Sequence, residues 1–411
     1  MNGRHAMNGR YAELAARFGT PLYVYDLDEA EAARRELAEA LPDGVEIFYA
    51  LKANPHPELV RALRCRPEIS STGELAAALA AGAAGADCLY TGPGKTAGEL
   101  REAIARGVRA FSAESATDVE HIGAAARERN VVADVLLRIN AASASATTGI
   151  RMTGTPTQFG FDCEALPAVM PRLRRARGVR LAGLHFFPLS NATDEAALTG
   201  EFQATIELAA RLAGELELPL RLVDIGGGFA APYAVPGRRA SYPKLRSDLE
   251  SALDLHLHGW RDGEPQIACE SGRYLISGAG TLVASVSNVK VSRGRKFVIL
   301  DAGINALGGL SGLGRLLPVE VGPDSGEPVE RASLVGPLCT PGDILGRQIE
   351  VPALGPGDLV TVPNVGAYGV TASLLAFLGR PAPVEVIVRG EEVVSVSRLE
   401  YARRHQVSSS G

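Results

Sequence analysis

The strongest constraint on the fold is an alternation of two kinds of segment between about residue 27 and about residue 260. Short apolar runs, which are typical of buried strands, alternate with longer runs rich in Ala, Leu, Glu and Arg, which favour helices. The strand candidates are residues 47–52, 69–71, 88–91, 110–113, 133–139, 181–186 and 222–225. Repeated βα units over this length predict an α/β fold whose larger domain is a TIM-type (β/α)8 barrel.

The character of the sequence changes after Gln266, where runs rich in Val and Gly carry β-branched residues and turn signals. Such runs, at 280–292, 296–300 and 383–399, predict a C-terminal all-β domain. A strand candidate at 20–26 precedes the barrel and is expected to join that domain. We therefore expect a barrel over residues 27–265, a β domain formed by 11–26 and 266–405, and a disordered polar tail over 406–411.

Charge and composition exclude several classes of partner. The net charge of −5 implies no basic face, so nucleic acid is not an expected partner. No apolar run approaches the ~20 residues that a membrane span needs. Five cysteines are scattered without C-x-x-C spacing, which favours a reducing, cytoplasmic location.

Lys52 is the first candidate for a catalytic group. It follows the apolar stretch 45–48 in the motif Y-A-L-K-A-N, at the end of a predicted barrel strand. Catalytic groups of barrel enzymes commonly stand at strand ends. A lysine that loses hydration there exposes a neutral amine that attacks aldehydes, and pyridoxal phosphate (PLP) is the aldehyde such lysines meet most often. The alternative is a solvated structural lysine.

Two further motifs suit a phosphorylated, nitrogen-containing ligand. Gly226, Gly227 and Gly228 lie in D-I-G-G-G-F, where glycines allow backbone N–H groups to converge on a phosphate, or simply make a tight turn. Glu270 and Arg273 lie in E-S-G-R, which suits a ring nitrogen and a phosphate, or else forms a surface ion pair.

Three further candidate sites are not specific for any one function when each is considered alone. His185 ends a predicted strand and either stacks on a planar cofactor or is a satisfied core histidine. The loop G-P-L-C-T-P-G-D supplies a thiol, Cys339, and a carboxylate, Asp343. Tyr368 offers a phenol in the turn G-A-Y-G. These motifs become a specific signal only when they are considered together, in their order along the chain.

The chain resembles the fold-type III PLP-dependent enzymes, the alanine racemase-like class, and within it the ornithine/diaminopimelate decarboxylase family. The resemblance covers about residues 19–379. It rests on eight blocks in family order, namely Y-A-L-K-A-N, S-S-T-G-E-L, G-P-G-K-T, Q-F-G-F, D-I-G-G-G-F, E-S-G-R-Y, G-P-L-C-T-P-G-D and G-A-Y-G.

The resemblance implies a role for each candidate residue. Lys52 would form the internal aldimine with PLP, His185 would stack on the cofactor ring, and Glu270 would pair with the pyridinium nitrogen. The residues implied to hold the phosphate are Ser190, Gly226, Gly227, Gly228, Arg273 and Tyr368.

The resemblance also implies a head-to-tail homodimer with shared active sites. Cys339 and Asp343 would then reach the active site of the partner subunit, where Cys339 would protonate the quinonoid left by decarboxylation. Alanine racemases of this class carry a tyrosine on that face. The cysteine block therefore favours an amino-acid decarboxylase over a racemase.

Departures from the family pattern bear on the substrate. Thr340 follows the cysteine where diaminopimelate and ornithine decarboxylases carry an acidic residue, and the run 304–312 is small and apolar. A site without distal charged groups discriminates poorly for a small diamino acid. The C-T-P-x-D loop and the Q-F-G-F block look more like decarboxylases of carrier-protein-bound aminoacyl groups in antibiotic biosynthesis.

The sequence therefore predicts a PLP-dependent decarboxylase that acts on an amino acid or on a modified or carrier-protein-bound aminoacyl substrate. The alternatives are a decarboxylase of free diaminopimelate, ornithine or lysine, a catalytically silent PLP-binding homologue and, less favoured, an amino-acid racemase.

Overall fold

The computed structural model describes residues 2–141, 150–151, 156–308, 319 and 329–403. Numbered along the chain, the helices are α1 (Asn2–Phe18), α2 (Leu27–Ala40), α3 (Pro57–Leu63), α4 (Thr72–Ala80), α5 (Ala97–Ala105), α6 (Ala116–Glu128), α7 (Leu166–Leu173), α8 (Glu195–Glu215), α9 (Leu245–His256) and α10 (Arg273–Ile276). The strands are β1 (Leu22–Asp26), β2 (Val45–Ala50), β3 (Arg66–Ile69), β4 (Leu89–Tyr90), β5 (Ala110–Ala113), β6 (Ala133–Asn140), β7 (Ile150–Arg151), β8 (Phe161–Asp162), β9 (Val179–Phe186), β10 (Leu189–Ser190), β11 (Leu222–Asp224), β12 (Gln266–Ser271), β13 (Gly280–Ser292), β14 (Arg295–Leu300), β15 (Val329–Val335), β16 (Ile344–Pro352), β17 (Leu359–Val362), β18 (Val384–Arg389) and β19 (Glu392–Arg398).

The chain forms two compact units. The barrel unit comprises Asp28–Ala231 and Arg238–Gly278. The second unit comprises Met1–Leu27, Pro232–Gly237 and Ala279–Gly411.

The barrel unit is built on a closed parallel sheet. Strands β2, β3, β4, β5, β6, β9, β11 and β12 pair in this order, and β12 returns to β2. One layer of its interior is filled by Phe48, Leu89, Leu136, Ala182, Leu222 and Ala268, each from a different strand. Layers of this kind make the interior a packed core, so functional groups stand at the carboxyl ends of the strands. The predicted (β/α)8 barrel with a separate β domain is confirmed.

The expected domain boundary needs a correction. We expected the β domain to begin at residue 266, but β12 pairs in parallel with both β11 and β2. Without β12 the sheet would not close, so the barrel unit continues to Gly278. The short segment Pro232–Gly237 also departs from the expectation, because it belongs to the second unit. There the Asn364 side chain donates a hydrogen bond to the Val235 carbonyl at 2.7 Å.

The second unit is a mixed sheet in the order β16-β15-β14-β13-β1-β18-β19, with β17 also paired to β13. The N-terminal strand β1 lies between β13, to which it is antiparallel, and β18, to which it is parallel. Leu14 of α1 packs into an apolar cluster with Leu22, Val24, Val283 and Val386. The segment from Leu14 to Asp26 is therefore integral to this unit.

Two expectations lie wholly or partly outside the described residues. They are the disordered tail at 406–411 and the part of the apolar run beyond Gly308. Among the helices that the structure describes, none combines the length and the apolar character that crossing a membrane requires.

Candidate active site

Lys52 lies two residues beyond the end of β2, at the carboxyl edge of the barrel sheet. Its Nζ is 3.5 Å from Glu68 Oε1, and its side chain is 42% exposed. The same Nζ lies 5.0 Å from the centre of the Phe187 ring. The amine is thus held beside a carboxylate and an aromatic ring and still reaches solvent, rather than being desolvated as the sequence suggested.

Two acidic side chains surround this lysine. Glu68 on β3 is buried, and its Oε1 accepts a hydrogen bond from the Thr91 hydroxyl at 2.7 Å. Glu74 on α4 accepts a hydrogen bond from the Ser70 N–H at 2.6 Å. Burial raises the pKa of Glu74 to about 7, with a smaller contribution from Glu68, while the Ser70 N–H and Lys52 oppose the rise.

His185 and Glu270 form a buried pair at the ends of β9 and β12. His185 Nε2 lies 3.0 Å from Glu270 Oε1, and the two side chains are 1% and 2% exposed. The other ring nitrogen, Nδ1, is hydrogen-bonded to Ser112 Oγ at 2.7 Å. Burial raises the pKa of Glu270, but His185 outweighs it, aided by Lys52 and Arg138, and lowers that pKa to about 2. Glu270 is therefore an ionised carboxylate inside the barrel.

Asp224 is a second buried carboxyl beside Glu270. Its Oδ1 accepts a hydrogen bond from the Gly226 N–H at 2.9 Å. Burial, followed by the charge of Glu270, raises its pKa well above the usual value. Ligand atoms of His185, Asp224 and Glu270 lie within 4.8 Å of one another, a spacing that would admit a cation. Since Asp224 Oδ1 already accepts the Gly226 N–H and Glu270 lies in ion-pair contact with His185, we assign no metal ion to this cluster.

The position of His185 does not fit the expected stacking role. A ring that stacks on a ligand must present a face to the site, whereas His185 is buried in the barrel wall with contacts at both nitrogens. Phe187, two residues further on, is only partly buried and faces Lys52. The sequence signal for it was simply an aromatic residue just after a strand end.

The glycine turn is sterically required. Gly226 has φ +81°, and a Cβ there would stand 2.4 Å from the Phe186 carbonyl oxygen. A Cβ on Gly227 would stand 2.4 Å from the carbonyl oxygen of Glu270, and Gly228 has φ +129°. Side chains larger than hydrogen would displace the ends of β9 and β12. These glycines therefore allow the turn to pass closely over the strand ends.

The remaining barrel candidates lie near this turn. The Ala192 N–H donates to the Gly228 carbonyl at 2.7 Å, which brings the segment that contains Ser190 to the glycine turn. Arg273 begins α10 directly after Gly272, whose Cβ, if present, would lie 2.9 Å from Ala53 Cβ. The Arg273 segment therefore passes close to the Lys52 loop.

Tyr368, Cys339 and Asp343 belong to the second unit. Tyr368 has φ +52°, and its carbonyl oxygen accepts a hydrogen bond from the Tyr233 hydroxyl at 3.0 Å. Tyr233 lies in the segment Pro232–Gly237, so this segment fixes the backbone of the tyrosine turn. Cys339 is exposed.

Asp343 does not reach outward as expected. Its Oδ1 accepts the Ile304 N–H at 2.8 Å and its Oδ2 accepts the Leu338 N–H at 2.6 Å. The carboxylate is buried and fills the space left by Gly303 and Gly336, where any Cβ would clash with it. Asp343 therefore closes the loop that contains Cys339, with both carboxylate oxygens accepting backbone N–H groups of its own chain.

The barrel residues fit a planar aldehyde cofactor with a ring nitrogen and a phosphate. They offer an accessible amine, an ionised buried carboxylate, an aromatic face and a glycine turn at one edge of the sheet. This donor set, on a barrel with a separate β domain, defines a PLP-dependent enzyme class.

Comparison with known proteins is consistent with that class. Residues 27–277 match the family described as pyridoxal-dependent decarboxylase, pyridoxal binding domain. The L-glutamyl-[BtrI acyl-carrier protein] decarboxylase of Niallia circulans is 34% identical, over 93% of this chain and 92% of that protein. The diaminopimelate decarboxylase of Pseudomonas aeruginosa is 33% identical, over 95% of this chain and 92% of that protein. The crystal structure of diaminopimelate decarboxylase from Helicobacter pylori complexed with L-lysine has a TM-score of 0.80 at 25% identity, covering 94% of this chain and 95% of that chain.

The chain belongs to the pyridoxal-dependent decarboxylase family. It is a PLP-dependent carboxy-lyase that acts on an amino-acid substrate.

Proposed function

We propose that this enzyme removes the α-carboxylate of an amino acid whose side-chain end is attached to an acyl carrier protein. PLP, when bound, accepts the electrons left on the α-carbon as CO₂ departs. Lys52 is the amine that holds the cofactor aldehyde, and Glu270 holds the ring nitrogen. The glycine turn at Gly226–Gly228, with Ser190 and Arg273, binds the phosphate, and Tyr368 remains a prediction for the same role.

Glu270 supports this assignment through its charge. A carboxylate whose pKa is lowered to about 2 stays ionised across the working pH range, so it favours a protonated ring nitrogen opposite it. His185 favours the ionised form of Glu270, and the charge of Glu270 in turn raises the pKa of Asp224. The barrel wall thus supplies a permanent counter-charge for the cofactor ring.

Cys339 is the proposed proton donor to the α-carbon. It is exposed, and Asp343 fixes its loop from beneath through the Leu338 N–H. The neighbouring segment is linked to the same loop, since the Arg380 guanidinium donates to the Pro337 carbonyl at 3.2 Å. That segment exposes the apolar side chains Leu374, Phe377 and Leu378. An exposed apolar cluster beside an exposed thiol supports a dimer in which Cys339 enters the partner's site.

The observation that carries the substrate proposal is the lack of an available charge on the Cys339 loop. Within residues 336–343 the one carboxylate, Asp343, is buried with both oxygens bonded to backbone N–H groups. Thr340 presents only a hydroxyl. A diamino acid needs a charged partner for its distal group, because an unpaired charge is costly to bind. A substrate whose distal end is an uncharged linkage needs none.

The chemistry also fixes how a carrier can be attached. The α-carboxylate must be free to leave as CO₂, and the α-amine must be free to react with the cofactor aldehyde. The link to the carrier can therefore run only through the end of the side chain. The relative from Niallia circulans, named as an L-glutamyl acyl-carrier-protein decarboxylase, supports this class of substrate.

A mass-spectrometric panel tests the proposal. The enzyme is incubated separately with an L-glutamyl acyl carrier protein, free meso-diaminopimelate, free ornithine and free lysine. We expect CO₂ loss from the loaded carrier protein and little from the free amino acids. Efficient turnover of diaminopimelate, which the Pseudomonas aeruginosa relative is named for, at a kcat/KM of about 10⁴ M⁻¹s⁻¹ or more would contradict it.

A further inference from the structure

We propose that Phe187, rather than His185, is the aromatic side chain that packs against the ring of the bound cofactor. His185 acts instead as a positioning residue that holds Glu270 from within the barrel wall. This inference rests on the proposed function only for the identity of the cofactor site at Lys52. It concerns which side chain of this chain fixes the plane of the cofactor.

Phe187 stands where a flat ligand attached to Lys52 has to lie. Strand β9 ends at Phe186, so Phe187 is the first residue to leave the barrel wall. Its ring centre is 5.0 Å from Lys52 Nζ. Its Cε2 atom is 3.5 Å from the point where a Cβ on Gly227 would stand. The ring thus extends from the amine proposed for the aldehyde to the turn proposed for the phosphate.

Two cations hold the Phe187 ring in place. The Arg138 guanidinium lies 6.0 Å from its centre and 4.7 Å from that of Phe159. Arg138 is itself fixed by a salt bridge to Glu114 at 3.1 Å. A positive charge near an aromatic ring is attracted by the ring quadrupole. Lys52 and Arg138 therefore orient Phe187 before the cofactor arrives.

His185 has the opposite surroundings. Its ring is 1% exposed, Nδ1 is hydrogen-bonded to Ser112 Oγ at 2.7 Å, and Nε2 lies 3.0 Å from Glu270 Oε1 in an ion-pair contact. A stacking ring needs an open face, and a positioning ring needs polar contacts at its nitrogens. His185 meets the second description and Phe187 the first.

The test substitutes residues 187 and 185 with side chains that either keep or remove an aromatic ring or a hydrogen-bonding group. Apoenzyme prepared from the purified holoenzyme is titrated with pyridoxal phosphate. The dissociation constant and the visible circular dichroism of the bound cofactor are measured, with thermal unfolding as a check of folding. The variants are Phe187→Leu, Phe187→Tyr, Phe187→His, His185→Phe and His185→Gln.

We expect position 187 to require an aromatic ring and position 185 to require hydrogen bonding. Phe187→Leu should weaken binding by roughly two- to tenfold, the usual value of an aromatic pair. Phe187→Tyr should stay within about twofold of wild type, since stacking persists. Phe187→His should bind normally at high pH and change its affinity and dichroism below about pH 6.5, where the new imidazole gains charge. His185→Gln, which can still donate toward Glu270, should bind more tightly than His185→Phe.

The reverse pattern overturns the inference. If His185→Phe binds as wild type does while His185→Gln is weak, His185 is the stacking ring. If Phe187→Leu and Phe187→Tyr bind equally well, Phe187 does not contact the cofactor. A wild-type enzyme that binds the cofactor covalently and releases no CO₂ from any substrate would count against the proposed function alone.

Discussion

The proposed reaction requires Lys52, because one lysine amine has to bind the cofactor covalently. Borohydride reduction of the holoenzyme should fix pyridoxal phosphate on the peptide that contains Lys52, and Lys52→Ala should lose both the covalent label and activity. Peptide mass spectrometry after digestion measures the label. Lys290→Ala, an exposed lysine on β13, is the matched control and should label normally. Recovery of the cofactor on another lysine would remove Lys52 from the site.

At the same scale, the sequence predicted the residues that stand in compact motifs. Lys52, Glu270 and the three glycines were proposed as site residues because each lies within a short block beside a predicted strand end. Phe187 and Ser112 were missed because their roles depend on partners far away in the chain. The role of Ser112 is to form a hydrogen bond with His185, which lies 73 residues later in the sequence. Such pairs form only when strands distant in the sequence become neighbours in the barrel. A local sequence pattern therefore does not predict them.

At the scale of elements, strands with a long β-branched or apolar run were predicted well, and β12 was not recognised as a barrel strand. Its three apolar residues, Ile267, Ala268 and Cys269, lie between Pro265 and the polar E-S-G-R block, which made it resemble the start of the next domain. Its assignment is decided by pairing with β11 and β2. Sheet closure is a property of the whole barrel, so the boundary could not be fixed locally.

The loop that presents Cys339 gives a prediction at this scale. Asp343→Ala removes the acceptor for the Ile304 and Leu338 N–H groups, which stay buried. Each unsatisfied donor costs about 1–3 kcal/mol, so the free energy of unfolding should fall and activity should fall with it. Denaturant unfolding measures the loss. The control is Asp358→Ala, an exposed carboxylate that also accepts a backbone N–H, from Gly355 at 2.7 Å. Equal losses in the two variants would show that Asp343 does not hold the loop.

Strand β18 gives a pH prediction. Burial raises the pKa of Glu385 from 4.5 to about 7, with the Tyr25 hydroxyl opposing the shift. The folded state then holds this proton more tightly than the unfolded chain. Its contribution to stability is present below about pH 4.5 and is lost as pH rises through about 7.

Glu385→Gln removes this dependence. Relative to wild type it should be nearly neutral below about pH 4.5 and more stable by about 3 kcal/mol above about pH 7, at ~1.4 kcal/mol per pKa unit. Urea unfolding at both pH values measures the difference. Glu391→Gln, in the exposed turn after β18, should show no such trend. A constant difference between Glu385→Gln and wild type across this range would contradict the prediction.

At the scale of the whole molecule, the dimer proposal puts Lys52 and Cys339 of one site on different chains. Homodimers of Lys52→Ala and of Cys339→Ala should each be severely impaired. In an equally mixed, fully exchanged population half of the dimers are hybrids with one intact site, so about a quarter of wild-type activity should return. Co-expression with two affinity tags isolates the hybrids for assay. Hybrids with no more activity than the two mutants would mean that Cys339 acts within its own chain or is not needed.

The proposal depends most directly on what happens to a carrier-bound aminoacyl group. The decisive measurement is the intact mass of an L-glutamyl acyl carrier protein before and after incubation with the holoenzyme, with Lys52→Ala as the blank. We predict a loss equal to the mass of one CO₂ with wild type and none with the variant, and little turnover of free meso-diaminopimelate in parallel. An unchanged carrier protein together with rapid decarboxylation of the free amino acid would contradict the assignment.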